Sequence, residues 1–288
     1  MVPQKIALLT DSCADLTPQL LKENHIYTVP LRIRCVDGEY SDGVNIQNTD
    51  IYARLHAGEL PQTSLPAGAD IEKILYQIIG DGYDGVIAVM LSSGLSGTYN
   101  LMRLVSEECQ GDFAVRVYDS RSGSLGMGMT LLQLAEDIRN GMGWEELTEC
   151  RAPQLIQGSH PFFSVDTLEY LQKGGRIGKV TATAGTLLQI KPILTFAEDG
   201  QLQSVAKVRG RNQVIDKLVS LAVSACGAHR RYNLAVANGG APAEMELVRN
   251  KLAEALPNFD HIWAGEIDGT LSVYIGDGVL GAAVQVLD

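Results

Sequence analysis

Short apolar runs alternate with amphipathic ones along the whole chain, and this alternation restricts the fold more than any other feature. KIALLTDS, TVPLRIRC, GVIAVML and AVRVYDS have the β-branched and apolar density of strands, whereas DLTPQLLKEN, ADIEKILYQIIG, SGTYNLMRLVSEE and GMTLLQLAEDIRN have helical spacing. Strand and helix in turn predict a parallel, Rossmann-like sheet covered by helices for the first half. After NGMGWEELTECRAPQLIQG a second series opens at HPFFSVD. It holds a helix in LEYLQKGGRIG, another through TAGTLLQI, strands near KPILTFAEDGQLQSVAKVR, and the alternation LAVANGG, PAEMELVRNKLAEALPN, HIWAGEI, LSVYIG. The change of series places a domain boundary near residue 152, dividing the chain into 1–152 and 153–288.

Composition removes several classes of function. A chain of 288 residues, 45% apolar and 20% charged, can bury a sizeable core. Its net charge of −11, with no basic block, argues against nucleic acid or an anionic membrane surface as the main partner. Cys13, Cys35, Cys109, Cys150 and Cys226 are odd in number and scattered, so they signal neither a disulfide framework nor a zinc site. A reducing cytoplasm fits that usage. The opening MVPQKIALLTDS lacks a signal-peptide plan, and no apolar run approaches the roughly 20 residues that span a bilayer.

Two hydroxyl-rich loops carry the chemical signal. LSSGLSGTYN, residues 91–100, joins an apolar strand to a helix and crowds Ser92, Ser93, Ser96 and Thr98 among glycines. Around Ser96 the stretch GLSGT approaches the G-x-S-x-G nucleophile elbow, but Thr98 stands where that motif has Gly. A Ser-dependent acyl hydrolase would also need a His and an acid converging on Ser96, and of the five histidines only His229 and His261 fall late enough for the usual order. The loop also lacks the Gly-Lys-Ser/Thr ending of a phosphate-binding loop. What remains is a helix N-terminus offering backbone N–H groups and neutral hydroxyls, suited either to a carboxylate or simply to capping the helix through Ser96. PQTSLPAGAD, residues 61–70, is read as a second loop outside any strand, with Thr63 and Ser64 between Pro61 and Pro66. Two such loops can converge on one head group, or cap two separate helices.

Taken together, DSCADL, PQTSLP, SSGLSGTYN, the DS of VYDSRSGSLG, FFSVDTLEYLQKGGRIG, LLQIKPIL, KVRGR and GDGVLG resemble the DegV family, the fatty-acid-binding subunits of bacterial fatty acid kinase. The likeness spans essentially the whole chain. It implies two α/β domains with a long-chain fatty acid in an apolar tunnel near their junction. Residues 1–152 would carry the head-group loops, and 153–288 would contribute the acyl-chain pocket. By motif, Thr63, Ser64, Ser96 and Gly97 take the head-group positions, and Arg176 and Arg209 take surface positions facing the kinase. The resemblance also implies a passive subunit with no catalytic residue, metal or cofactor of its own. A separate ATP-dependent kinase would phosphorylate the bound acid for phospholipid synthesis. A carrier of another amphipathic lipid and a Ser-dependent hydrolase are the alternatives.

One position departs from the family pattern. Where the family usually has a His two residues before its last G-x-G, this chain has Tyr274, which donates one hydrogen bond but stays neutral at physiological pH. Asp277 in the same motif replaces a frequent Pro and reads as an ordinary Asp-Gly turn.

Overall fold

The computed structural model describes residues 2–108, 113–180 and 190–288. Its first sheet contains β1 (Ile6–Asp11), β2 (Ile26–Val29), β6 (Gly85–Met90) and β7 (Ala114–Asp119) in the order β2-β1-β6-β7, all parallel. Both β1 and β6 are buried along their whole length, β6 as its unbroken apolar run requires and β1 with the polar Thr10 and Asp11 included. The crossovers include α1 (Pro18–Glu23), α3 (Gly68–Gly80) and α4 (Thr98–Glu108). Pro18 opens α1 behind Thr17, whose Oγ1 accepts from Leu20 N at 3.2 Å.

TVPLRIRC, expected as one strand, is two strands in different sheets. Pro30 lacks the N–H that a continuing ladder needs, so β2 stops at Val29 and the chain re-forms as β3 (Arg32–Cys35). β3 lies between β4 (Gly38–Ser41) and β5 (Gln62–Ser64) in a small antiparallel sheet. The expected PQTSLP loop therefore contains a strand. With only three paired residues between prolines, β5 carries no periodicity to read. Between β4 and β5 runs α2 (Asn48–His56), which the sequence reading did not include; Asp50 Oδ2 accepts from Gln47 N at its start.

The third sheet is mixed, with β10 (Leu202–Arg209), β9 (Ile190–Phe196), β8 (Ser159–Ser164), β13 (Val279–Val286), β11 (Tyr232–Gly239) and β12 (Ile262–Glu266) side by side in that order. Only β11 and β12 pair in parallel. α9 (Arg211–Cys226) and α10 (Pro242–Ala255) cover one face, where Leu234, Val236, Leu280 and Val284 join Val214, Leu218 and Val248. α8 (Glu169–Lys173) and α11 (Gly269–Ile275) stand on the other side. The helix expected through TAGTLLQI lies outside the described residues, apart from Ile190, which begins β9.

One helix joins the two large sheets. α5 (Leu125–Arg139) is buried almost all round, as LGMGMTLLQLA demands. Met127, Leu131 and Leu134 pack on Leu8 and Ile87 of the first sheet, while Leu125 and Met129 pack with Ala235, Ala237 and Leu194 of the third. A Cβ at Gly128 would stand 2.5 Å from Ala14 O, so only glycine lets α5 approach that backbone. After α5 comes a continuous helical run of α6 (Trp144–Glu146), a π-helical turn (Leu147–Arg151) and α7 (Ala152–Gln157), with residue 152 in its interior. Among the described residues no helix is long and apolar enough to cross a membrane.

Candidate functional site

The strand-to-helix turn after β6 is built by its own hydroxyls. Leu91 N donates to the buried Asp11 Oδ2 at 2.7 Å, anchoring the start of the loop to the end of β1. Ser92 Oγ donates to Gly200 O at 2.7 Å, tying this loop to the β9–β10 turn. The approach is so close that a Cβ at Gly94 would overlap the Gly200 carbonyl at 2.3 Å. Ser93 donates to Asp119 through both its N (3.0 Å) and its Oγ (2.5 Å). Four polar groups are thus spent on the loop's shape. Ser96 Oγ accepts from Thr98 N at 3.3 Å and pairs with Thr98 Oγ1 at 2.9 Å, so it satisfies the first N–H of α4 from one residue before the N-cap position, and it also lines a cavity. His56, His229 and His261 pair with Asp277, Asp288 and Glu136, and Ser96 has the arrangement of a cap rather than of an activated nucleophile.

That cavity contains about 920 Å³ of empty space, part of it open to solvent, and its lining is overwhelmingly apolar. Thr63, Ser96, Arg176 and Tyr274 form a polar group on its wall. Thr63 Oγ1 and Tyr274 OH are 2.5 Å apart, and the Arg176 guanidinium lies 4.9 Å over the Tyr274 ring. Arg176 also donates to Leu95 O at 3.3 Å and to Gly174 O at 2.9 Å, and it has no acidic partner among the described residues. Gly174 matters here, because a Cβ would meet Tyr274 Cδ1 at 2.4 Å.

Four of the seven site residues expected from sequence come together at this cavity, and three do not line it. Thr63 lies opposite Ile33 and Ser64 opposite Arg32 in the β3–β5 register. Alternation therefore turns Thr63 toward the side of the fully buried Ile33 and leaves Ser64 exposed. Gly97 is exposed, although a Cβ there would meet Leu65 at 3.4 Å, so the two loops do touch. Arg209 is exposed at the end of β10. Arg176, expected as a surface cation, is half-buried on the cavity wall, because Gly174 and Gly175 end α8 and turn the chain inward toward Leu95.

Behind the cavity lies an acidic joint that sequence reasoning missed. Ser124, at φ 54° before α5, donates to Asp15, while Asp268 N donates to Asp15 Oδ1 at 2.9 Å. Asp42 accepts from Ser12 Oγ, Gly269 N and both donors of Thr270. Ser124 and Thr270 line the cavity, so this joint fixes part of its wall. Burial pushes the Asp11 and Asp15 carboxyls up to about 7 and raises Asp268 and the Cys13 thiol well above their ordinary values. Among the described residues Asp268 Oδ2 is enclosed without a hydrogen-bond partner. Cys13, Asp42 and Asp268 bring one ligand-type atom each to within 4.8 Å of one another. Only DSCAD hinted at this cluster, since Asp42 and Asp268 are far away in sequence.

Residues 5–286 match the family model described as "Uncharacterised protein, DegV family COG1307". The chain belongs to the DegV family. A DegV domain-containing protein of Clostridium acetobutylicum is 37% identical over 281 residues, covering 98% of this chain and 99% of the relative. Among solved structures, a fatty-acid-binding DegV family protein from Thermus thermophilus superposes with a TM-score of 0.91 at 27% identity, over 99% of this chain and 100% of that one. DegV of Bacillus subtilis, a fatty acid binding protein, gives a TM-score of 0.86 at 26% identity, covering 98% and 99%. The DegV fold and the company of fatty-acid-binding relatives are therefore established.

Proposed function

We propose that this DegV protein binds a long-chain fatty acid in the cavity and presents its carboxylate to a separate ATP-dependent kinase subunit in the cytoplasm. The resulting acyl phosphate feeds phospholipid synthesis. The observation that carries the reading is the cavity itself, apolar in its body, lined by two hydroxyls, a phenol and an arginine that has no acidic partner among the described residues. Fatty acid binding by the Thermus thermophilus and Bacillus subtilis relatives supports it.

The energetics divide the work between the two parts. A chain of about fourteen methylenes offers roughly 10 kcal/mol gross on burial, at about 0.8 kcal/mol each, before ordering and association costs. A hydrogen bond to a charged group contributes about 1.5–3 kcal/mol. The cavity supplies affinity and the polar wall supplies orientation. Thr63, Ser96 and Tyr274 donate to the carboxylate, and Arg176 balances its charge from above the Tyr274 ring. In this reading residues 1–152 bring the head-group loops and 153–288 bring most of the chain pocket. Ser64 and Gly97 shape the loop surface around the head group, and exposed Arg209 faces the kinase. The protein holds the acid and the partner carries the phosphoryl chemistry, so no side chain here is assigned a catalytic role.

The test is reconstitution. Delipidated protein titrated with palmitic acid should bind it in a one-to-one complex, and adding a fatty acid kinase subunit with ATP should yield acyl phosphate. Failure to bind any long-chain acid would overturn the reading, and binding without phosphorylation by any such kinase would remove its second half.

A further inference from the structure

The inner face of the third sheet is shaped unlike its outer face. β11 and β13 place Ala235 opposite Ala283 and Ala237 opposite Gly281, and these four turn toward α5 and the cavity. Their neighbours on the outer face are Leu234, Val236, Leu280 and Val284, packed under α9 and α10. Apart from Ala282, the same two central strands thus carry large side chains on the helix-packed face, and they carry nothing larger than a methyl group over the cavity. On the next strand Phe163 lies beside Gly281 and Pro161 beside Ala283, forming one bank. On the far side Gly265, opposite Ala237, is covered by Leu125 of α5. What remains open is a trough about two strands wide, near 5 Å between strand axes, running along the strands.

α5 covers part of this floor through Leu125 and Met129 but leaves Gly281 bare. A Cβ at Gly281 would meet nothing nearer than Phe162 O at 3.6 Å, with Ala237 Cβ and O at 3.7 Å. Bulk is therefore missing there although the backbone and its neighbours would accept it. Gly126, by contrast, is glycine because Ser122 Oγ and Pro161 would crowd a Cβ at 2.5 Å and 3.0 Å. Packing explains Gly126 and leaves the floor at Gly281 unexplained.

We propose that Ala235, Ala237, Gly281 and Ala283 are the specificity-determining floor of the cavity and set how long and how bulky an acyl chain it accepts. This rests on the fatty-acid reading above. An unbranched polymethylene chain lies along the trough, Phe163 and Pro161 exclude branches, and the Ala235–Ala283 pair receives the chain beyond the Gly281–Ala237 pair. Each added carbon on the floor displaces about one methylene of ligand.

The experiment measures Kd for lauric, myristic, palmitic and stearic acids with delipidated wild type, Gly281→Ala and Ala283→Val. Gly281→Ala should weaken the longest acid the wild type holds by about fourfold, the equivalent of one buried methylene, and leave lauric acid unchanged. Ala283→Val should move the optimum to a shorter acid. The alanine variant fits the backbone without a clash, so it decides the question even if the valine variant misfolds. A wild type that binds the series while Gly281→Ala keeps the same preference overturns this inference and leaves the fatty-acid reading standing. A wild type that binds none of the acids defeats that reading and this inference with it.

Discussion

Tyr274 brings together three features of the site. Its hydroxyl meets Thr63, its ring rests against Gly174, and Arg176 lies over its face. Tyr274→Phe keeps the ring and removes one donor, so palmitic acid affinity should fall about tenfold to a hundredfold, the worth of one hydrogen bond to a charged group. Tyr274→His restores a donor and should recover most of the loss. Calorimetric titration reads both, and an unchanged Kd for Tyr274→Phe would place the carboxylate elsewhere. The two arginines should separate in the same assays. Arg209→Ala, at an exposed strand end, should leave palmitic acid binding and thermal stability nearly unchanged while lowering acyl-phosphate formation. Arg176→Ala removes a cation from the cavity wall and should weaken the fatty acid as well. Equal binding losses for both variants would contradict this division.

Elements differed in how far sequence reported them, for physical reasons that can be named. β1, β6 and α5 were legible because apolar runs and helical spacing of this kind have few other uses in a folded α/β chain. β5 was hidden by its length and its flanking prolines, and the break inside TVPLRIRC depended on Pro30 as much as on which sheet had room for β3. α9 and β13 were missed beside clearer neighbours, although β13 is buried throughout. At the site, the motifs gave Thr63, Ser96, Arg176 and Tyr274 but not their assembly. The Thr63–Tyr274 pair spans 211 residues, and the Ala235–Ala283 pairing exists only through strand register. Ser64 shows the limit in one residue, since alternation along a three-residue strand decides that it faces away from Ile33.

For the whole molecule, the acidic joint between the two halves makes stability depend on pH in an unusual direction. Asp11, Asp15 and Asp268 have carboxyls raised by burial, so the folded protein retains protons that the unfolded chain, near pH 4, has already released. The stabilisation from Asp11 and Asp15 is fully present below about pH 4 and is lost as pH rises through about 7, and that from Asp268 changes in the same direction. His160, lowered by burial, acts in the opposite sense as a single group. The lowered, exposed Asp37, Asp84, Asp199 and Asp288 act below that window. The melting temperature should therefore fall from about pH 5 to about pH 8, and Asp268→Asn, which keeps the cap of α11 without an ionisable group, should flatten the fall. A melting temperature that rises across that range would contradict the assignment. The central claim, that a fatty acid lies with its carboxylate at the polar wall and its chain on the floor of the third sheet, is tested most directly by a crystal structure with palmitic acid brominated at its terminal carbon. The account predicts carboxylate density within hydrogen-bond distance of Thr63, Ser96 and Tyr274, with the anomalous bromine peak along the trough beyond Gly281. A bromine peak at Tyr274 with the carboxylate at the far end, or a cavity that stays empty at saturating acid, would contradict it.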